Sequence, residues 1–215
     1  MMRIVLLGPP GAGKGTQAKV LAEKLGVAHI STGDILRQNA SEATLLGKEA
    51  KDFMDRGLLV PDTLMSKMLQ DRFAQDDVKK GFILDGYPRN LAQAETLEEI
   101  FKLRGIDIDL VVYLDSSDSV IIQRLSGRLV CSKCGANFHI KNMPPKQEGL
   151  CDKCGGSLYQ RSDDKVDTIK KRLEIYKNEV ADLIKYYSGQ NKLHLLAADG
   201  KASGVFVKIV ALAKQ

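Results

Sequence analysis

The chain carries all four of its cysteines in two Cys-x-x-Cys-Gly pairs, inside residues 128–156. Their spacing, C-x2-C-x16-C-x2-C, is typical of a structural zinc site with tetrahedral geometry. Four thiolates complete the coordination shell, which argues against catalytic zinc and leaves no need for the nearby His139. Disulfides or an iron ion are the alternatives. The candidate zinc ligands are Cys131, Cys134, Cys151 and Cys154.

A glycine-rich loop near the N-terminus offers a second kind of chemistry. The sequence "GPPGAGKGT" (residues 8–16) follows an apolar run and precedes a helical pattern, which is the context of a phosphate-binding loop. Its glycines let successive backbone N–H groups point at phosphate oxygens, and Lys14 adds a full positive charge. Gly15 stands where the usual pattern has Ser or Thr, and Thr16 follows it. The loop predicts a nucleotide-phosphate site.

An acidic residue and a set of arginines complete the candidate chemistry. Asp85, in "GFILDGYPRN", ends an apolar run, a position from which a carboxylate can hold Mg²⁺ through water. Arginines recur near the ends of predicted elements, and phosphoryl transfer depends mostly on positioning and charge neutralisation by such groups. The candidates are Arg37, Arg89, Arg124, Arg128, Arg161 and Arg172.

Short apolar runs alternate with helical patterns along the chain. The runs predict strands at 3–8, 28–31, 81–86, 109–115 and 192–198. The helical patterns cover 13–26, 42–55, 62–75, 91–104, 117–127, 164–188 and 202–214. In the longest of them, apolar residues three and four apart form a stripe that we expect to be buried: Val166, Ile169, Leu173, Tyr176, Val180, Leu183 and Tyr187. This alternation predicts an α/β fold whose parallel sheet is covered on both faces.

Composition limits the class of protein. With 215 residues and 44% hydrophobic content, the chain can bury the core of one domain with a small insertion. The net charge of +5 allows a nucleic-acid binder as well as an enzyme for polyanionic substrates.

We see no signal-peptide pattern and no apolar run long enough to span a membrane. Paired cysteines without a signal peptide predict a cytoplasmic protein. The Pro- and Gly-containing cysteine segment interrupts the alternation and predicts an inserted minidomain.

Taken together, the motifs "GPPGAGKGTQA", "ISTGDILR", "ILDGYPRNLAQA", "GRLVC" and "YQRSDD" resemble those of adenylate kinases, in the same order and over essentially the whole chain. The four-cysteine insertion resembles the long-lid, metal-containing bacterial type. Nucleoside monophosphate kinases are also similar in having Gly-Lys-Gly-Thr in the phosphate loop, which accounts for Gly15. The resemblance implies a P-loop NTPase-like five-stranded parallel sheet flanked by helices.

The resemblance implies the reaction ATP + AMP ⇌ 2 ADP with Mg²⁺, serving adenine nucleotide homeostasis. It divides the chain into a core (1–30, 61–126 and 165–215), a helical AMP-binding segment (31–60) and a lid (127–164) that contains the zinc site. It also implies a monomer whose partners are ATP, AMP and ADP, with no nucleic acid and no membrane.

Site residues carry over by motif. Those implied for ATP are Gly11, Ala12, Gly13, Lys14, Gly15, Thr16, Arg128, Asn137, Phe138 and Gly200. Those implied for AMP are Thr32, Arg37, Leu58, Leu59, Val60, Gly86, Arg89, Gln93, Arg161 and Arg172. Those implied to stabilise the transferring phosphate are Lys14, Arg89, Arg124, Arg128, Arg161 and Arg172, with Asp85 holding Mg²⁺ through water.

Three other functions compete with this interpretation. In a nucleic-acid-binding protein or ATPase, the cysteine segment would bind the nucleic acid through its basic and aromatic residues. The available residues are Lys133, Lys141, Lys146, Lys153, Phe138 and Tyr159. A kinase for another nucleoside monophosphate would share most of the motifs. A non-catalytic nucleotide sensor would have an incomplete set of arginines, whereas this set is complete.

Overall fold

A computed structural model describes residues 2–214. Its main sheet has five parallel strands in the order β2-β3-β1-β4-β8. The strands are β1 (Met2–Leu7), β2 (Ala28–Ser31), β3 (Gly81–Asp85), β4 (Leu110–Asp115) and β8 (Leu193–Ala197). In the central register, Ile4 pairs with Ile83 on one side and Leu110 on the other. The five-stranded parallel sheet predicted from the sequence is confirmed.

Helices cover both faces of this sheet. They are α1 (Lys14–Leu25), α2 (Thr32–Ser41), α3 (Leu45–Asp55), α4 (Asp62–Phe73), α5 (Leu91–Leu103), α6 (Asp118–Ser126), α7 (Val166–Gly189) and α8 (Ala202–Leu212). Because side chains alternate along a strand, Ile4 and Leu6 pack towards α1 and α8, whereas Val5 and Leu7 pack towards α4, α5 and α7. The two hydrophobic layers anchor the three central strands, β3, β1 and β4, from both sides, so the carboxyl edge of the sheet is a rigid platform.

A second, smaller sheet lies between α6 and α7. It is antiparallel, in the order β6-β5-β7, and consists of β5 (Arg128–Cys131), β6 (Asn137–His139) and β7 (Leu158–Tyr159). Its fully buried apolar residues are few: Phe138 packs with two of the cysteines, flanked by half-buried neighbours. The inserted minidomain predicted from the sequence is therefore present and has a very small core.

Two sequence-based predictions of secondary structure need correction. The segment before Glu42 forms helix α2, which the apolar pattern did not reveal; its start is capped by the Ser31 hydroxyl, which accepts a hydrogen bond from the Asp34 N–H at 3.2 Å. Val166, predicted to be buried in the long-helix stripe, is 44% exposed because it is the first residue of α7 and lies before the helix meets its neighbours.

Within residues 2–214, no helix has the length and apolar character that a membrane span requires.

Candidate active site

The phosphate loop joins β1 to α1 and contains glycines with positive φ angles. Gly8 (φ 137°), Gly11 (φ 84°) and Gly13 (φ 99°) adopt backbone conformations that other residues rarely tolerate. Gly11 is also constrained by packing, since a Cβ there would lie 2.9 Å from Cγ of Leu125 in α6. The Lys14 ammonium curls back over the loop and donates to the carbonyls of Gly8 (2.6 Å) and Pro9 (2.9 Å). The loop is therefore shaped around a space that Lys14 closes from one side.

Asp85 lies beside this loop, at the carboxyl end of β3. A Cβ added at Gly15 would lie 3.1 Å from the Asp85 Oδ2, so a larger residue at that position would crowd the carboxylate. This close approach gives a physical reason for glycine where the usual motif has Ser or Thr. The other neighbour of the carboxylate is His29, whose buried Nε2 lies 3.7 Å from Oδ2 and has no hydrogen-bond partner within residues 2–214. A carboxylate at this position, beside the phosphate loop, suits a magnesium ion held through water.

A single cleft opens at this edge of the sheet, between the phosphate loop, α2, α4 and α7. Nearly all residues assigned to AMP by resemblance line it: Thr32, Arg37, Leu58, Leu59, Val60, Gly86, Arg89, Gln93 and Arg172, together with Lys14. At its floor, Thr32 is buried and its hydroxyl donates to the carbonyl of Asp85 at 3.4 Å. The loop after β3 bends away at Gly86 (φ 84°), where a Cβ would lie 2.8 Å from the Thr32 hydroxyl.

Carboxylates hold the arginines of the cleft in place. Arg128 donates to Asp164 with two nitrogens, at 2.8 Å and 2.5 Å, in a bidentate pair. Arg172 pairs with Asp163 at 2.8 Å.

On the opposite side of the cleft, the acidic partner is Asp34. Arg37 pairs with it at 2.6 Å, and Arg161 approaches the same carboxylate oxygen at 3.9 Å. The Arg161 Nε is buried and has no hydrogen-bond partner in the described chain. This free donor gives Arg161 capacity for an additional anion.

Burial and mutual repulsion perturb the cations of the cleft. Burial lowers the pKa of Lys14 to about 8; Asp85 opposes this shift and the Arg89 charge adds to it. Burial also lowers the pKa of Arg89 to about 10, with Arg172 contributing, and that of Arg161 to about 10, with Arg37 contributing. Both guanidinium groups remain charged at neutral pH. A bound polyanion would reduce this repulsion. The positive charges of the cleft therefore favour the binding of phosphate groups.

Burial also acts on the pKa values of the carboxylates that pair with these arginines. It raises the pKa of Asp164 despite the bidentate pair with Arg128. For Asp163, burial acts in the same direction, but the charges of Arg172 and Arg128 outweigh it and hold the pKa below the usual value. Asp163 is therefore the firmer anionic anchor for the arginines.

Some of the predicted residues lie outside the cleft lining. Arg124 donates to the carbonyls of Ala198 (2.9 Å), Asp199 (3.1 Å) and Gly200 (3.2 Å), so it holds the loop that contains Gly200. Asn137 and Phe138 lie on β6; the Asn137 Oδ1 is buried without a partner in residues 2–214, and Phe138 is in the core of the small sheet. The roles assigned to these residues stay predictions.

The four cysteines form one cluster at the end of the small sheet. Their Sγ atoms all lie within 4.8 Å of one another, with Cys131 3.5 Å from Cys154 and Cys134 3.6 Å from Cys151. Tetrahedral coordination at a Zn–S distance of about 2.3 Å requires sulfur atoms roughly 3.8 Å apart. The cluster thus fits a metal ion coordinated by four sulfurs, and its cysteines are free thiols rather than disulfides.

His139 is not part of the cysteine cluster. Its Nε2 bonds to the carbonyl of Gln123 at 3.0 Å, while its Nδ1 accepts from the N–H groups of Lys141 and Asn142, each at 3.0 Å. It ties the small sheet to the end of α6, in agreement with its interpretation as an ordinary residue of the lid.

Sequence reasoning missed the acidic residues that position the site. Asp163 and Asp164 stand in the quoted motif "YQRSDD", and Asp34 stands in "ISTGDILR", but no role was assigned to them. Asp62, which accepts a hydrogen bond from Gln93 at 2.6 Å, was missed as well. The available signal was the presence of an acidic residue within three positions of Arg37 and Arg161.

Comparison with known proteins gives a consistent result over nearly the whole chain. The family model described as adenylate kinase matches residues 6–192. An adenylate kinase of Caldicellulosiruptor saccharolyticus is 53% identical, over 93% of this chain and 92% of its own. The adenylate kinase of Clostridioides difficile is 50% identical, over 98% of this chain and 97% of its own. That of Clostridium tetani is 51% identical, over 93% and 91% respectively.

The lowered pKa of Lys14 predicts a pH dependence of anion binding. A bound triphosphate favours the charged ammonium, and the charged form of Lys14 falls to about half near pH 8. The dissociation constant for ATP, measured calorimetrically without Mg²⁺, should therefore rise above pH 8, approaching tenfold per pH unit. Lys14→Arg is the matched control, because its guanidinium stays charged and its affinity should change little between about pH 7 and 9. Equal pH slopes for the two proteins would contradict this account.

Proposed function

The chain belongs to the adenylate kinase family, and we propose that it catalyses ATP + AMP ⇌ 2 ADP in the cleft at the carboxyl edge of its main sheet. The observation that carries the proposal is the convergence of Lys14, Arg89 and Arg172 on one cleft beside the phosphate loop, with Arg128 and Arg161 at the ends of the inserted segment. Such a concentration of positive charge suits the transfer of a phosphoryl group between two polyanions.

In the proposed mechanism, an oxygen of the AMP phosphate attacks the γ-phosphorus of ATP. A new P–O bond forms as the bond from that phosphorus to the β-phosphate oxygen breaks, so that both products are ADP. Mg²⁺, held through water by Asp85, supplies charge neutralisation on the ATP phosphates when bound. No side chain is needed as a covalent nucleophile, because catalysis rests on positioning and on stabilising charge at the transferring group.

Lys14 and the arginines have separate parts in this scheme. Lys14 exchanges its contacts with the carbonyls of Gly8 and Pro9 for phosphate oxygens, which are stronger acceptors. Arg128 and Arg172 are held towards the site by Asp164 and Asp163, so little ordering of these long side chains is required when the phosphates arrive.

We assign the two nucleotides to the two sides of the cleft. AMP takes the side formed by Thr32, Arg37, the segment 58–60, Gly86, Arg89 and Gln93. ATP takes the phosphate loop, Gly11–Thr16, with Arg128, Asn137 and Gly200 around it. Phe138, whose ring is buried in the small sheet, is assigned to ATP through its backbone. Arg161 and Arg172 bridge the transferring phosphate. The support for this division is that the residues assigned to AMP line one cleft together, and that Lys14 of the phosphate loop lines the same cleft.

The domain division predicted from the sequence becomes part of the proposal. Residues 127–164 act as a lid that excludes water from the reacting phosphates, since an open site would hydrolyse ATP. Support comes from contacts on two sides: Lys19 of α1 donates to the carbonyl of Gly135 at 2.8 Å, and Ser162 donates to Asp55 of α3 at 2.7 Å. Residues 31–60 are the AMP-binding segment.

We propose that the cysteine cluster holds a structural zinc ion, which organises a lid whose apolar core is too small to fold unaided.

Free thiols in one cluster suit a reducing compartment, so we assign the protein to the cytoplasm. We propose that the protein acts as a monomer, because Lys14, Arg89 and Arg172 of the same chain line one cleft. The lid is not assigned to nucleic acid, since Phe138 is buried and unavailable for base stacking.

The proposed reaction is tested by measuring ADP formation from Mg·ATP with AMP, GMP, CMP and UMP as acceptors. We expect AMP to be the preferred acceptor by at least about 10²-fold in kcat/KM, because Gln93 and the backbone of residues 58–60, which line the cleft, are assigned to the base. Preference for another monophosphate would replace the assignment within the same enzyme class, and the absence of turnover with every acceptor would refute it.

Arg89→Ala should lower kcat by on the order of 10²-fold, since the buried guanidinium at the cleft stabilises charge on the transferring phosphate. Arg89→Lys should restore only part of the activity, because a point charge replaces a planar fork. Arg56→Ala is the control: Arg56 is 61% exposed at the end of α3 and, among residues 2–214, pairs only with the surface carboxylate of Asp52, so its loss should leave kcat unchanged. A near-normal kcat in Arg89→Ala would remove Arg89 from the mechanism.

Removal of the metal should destabilise the lid without displacing the phosphate-transfer residues. We expect chelation to lower the melting temperature by about 5 °C or more, and stoichiometric Zn²⁺ to restore it. At a temperature below both transitions, kcat should stay within the same order of magnitude. A metal-stripped, folded protein with an unchanged melting temperature would show that the ion has no structural role.

A further inference from the structure

The side-chain amide of Gln93 is held at both of its polar atoms. Its Oε1 accepts a hydrogen bond from the backbone N–H of Arg89 at 2.8 Å, and its Nε2 donates to the Oδ1 of Asp62 at 2.6 Å. The residue is buried in the first turn of α5, with its own N–H bonded to the Asn90 side chain at 2.9 Å. Gln93 lines the cleft, so this immobilised amide faces the space for the acceptor nucleotide.

The two partners determine which way the amide points. A backbone N–H can only donate, and an ionised carboxylate can only accept. Turning the amide by 180° would place its NH₂ group against the Arg89 N–H and its oxygen against the Asp62 carboxylate. Two hydrogen bonds would become two repulsive contacts within a buried site. The positions of oxygen and nitrogen in Gln93 are therefore set by the chemistry of its neighbours.

A glutamine amide with a defined orientation can distinguish two classes of purine. A 6-aminopurine presents an amino donor beside the N1 acceptor, whereas a 6-oxopurine presents a carbonyl acceptor beside an N1–H donor. An amide is complementary to either edge, but the two edges require opposite orientations. A freely rotating glutamine would serve both, and one that is locked would serve only one.

We propose that Asp62 is a positioning residue that makes the acceptor site selective for 6-aminopurine over 6-oxopurine monophosphates, by locking the amide of Gln93. This inference rests on the proposed role of Gln93 as a contact to the base of AMP. Asp62 is well placed for this role, because it is the first residue of α4, shortly after the segment 58–60 that lines the same cleft. Its backbone carbonyl accepts from Ser66 at 2.7 Å, which fixes the turn that carries the carboxylate.

The experiment compares AMP with IMP, which differs from AMP at the edge in question while keeping its size. In Asp62→Asn, the new amide can present either a donor or an acceptor to Gln93, so one of the two contacts that oppose the flipped orientation is removed and only the Arg89 N–H still opposes it. We expect the ratio of kcat/KM for AMP to that for IMP to fall by about tenfold. Asp62→Ala should lower the same ratio, and it provides a second variant if Asp62→Asn folds poorly by circular dichroism.

Two further variants separate the possible outcomes. Asp118→Asn removes a first-turn carboxylate from another helix, α6. It should leave the AMP-to-IMP ratio unchanged, because in the described part of the chain Asp118 pairs only with the exposed Lys177. Gln93→Met removes the amide and should abolish the discrimination. A general loss of stability would lower both rates together and would not move the ratio.

The outcomes are distinguishable. If Gln93→Met loses selectivity while both Asp62 variants keep it, the role of Asp62 is overturned and that of Gln93 stands. If Gln93→Met keeps the selectivity of the unmodified protein, the base contact itself is wrong and the inference falls with it. If the unmodified protein does not phosphorylate AMP, the proposed function fails independently of either variant.

Discussion

Repulsion among buried positive charges is the constraint on which the rest of the site depends. Lys14, Arg89 and Arg172 share one cleft with little access to water, and burial together with neighbouring like charges lowers the pKa of each of them. Such an arrangement costs stability unless anions offset it. In the protein alone, Asp163 and its neighbours offset the repulsion; with nucleotide bound, phosphates do so instead. Affinity for polyphosphates and the local cost in stability thus have one origin.

The fold brings these charges together from the ends of several strands and helices. The carboxyl edge of the parallel sheet supplies the phosphate loop and Asp85, which are held by hydrophobic layers on either side. Arg172 comes from the first turns of α7, and Arg128 comes from the first strand of the inserted segment. A rigid platform therefore carries the phosphate loop, while Arg128 reaches the site from the inserted segment and Arg172 reaches it from α7.

Sequence reasoning was most effective where local chemistry determines structure. The strand–loop–helix at residues 2–25, the five strands and the cysteine cluster follow from apolar runs, glycine positions and ligand spacing, and all are present. Helix α2 was missed because its apolar content is low and it depends on the cap at Ser31 and on packing against α3. Val166 was misassigned because helical periodicity cannot tell where a helix leaves its neighbours.

The carboxylates that contact the site from far along the chain were also unpredictable, and the reason there is different. A pairing such as Arg128 with Asp164 joins residues 36 positions apart, and it exists only once the inserted segment has folded back on itself. The hydrogen bond between Asp62 and Gln93 spans 31 positions and has no local pattern. Nothing in the sequence shows that Arg124 holds the loop at residues 198–200. Motifs identify the side chains that meet substrates, whereas the contacts that orient those side chains arise from tertiary structure.

The narrow neck of the inserted segment has a consequence for how such chains vary in length. The Gln160 side chain donates to the carbonyl of Ser126 at 2.8 Å, and β5 pairs with β7 through Val130 and Tyr159, so the entry and exit strands lie side by side. An insertion whose ends already meet adds only loop-closure entropy when it grows, about 0.6 kcal/mol for each doubling in length. Evolution or engineering can therefore lengthen, shorten or replace the segment as a module, provided that the arginines at its two ends are kept.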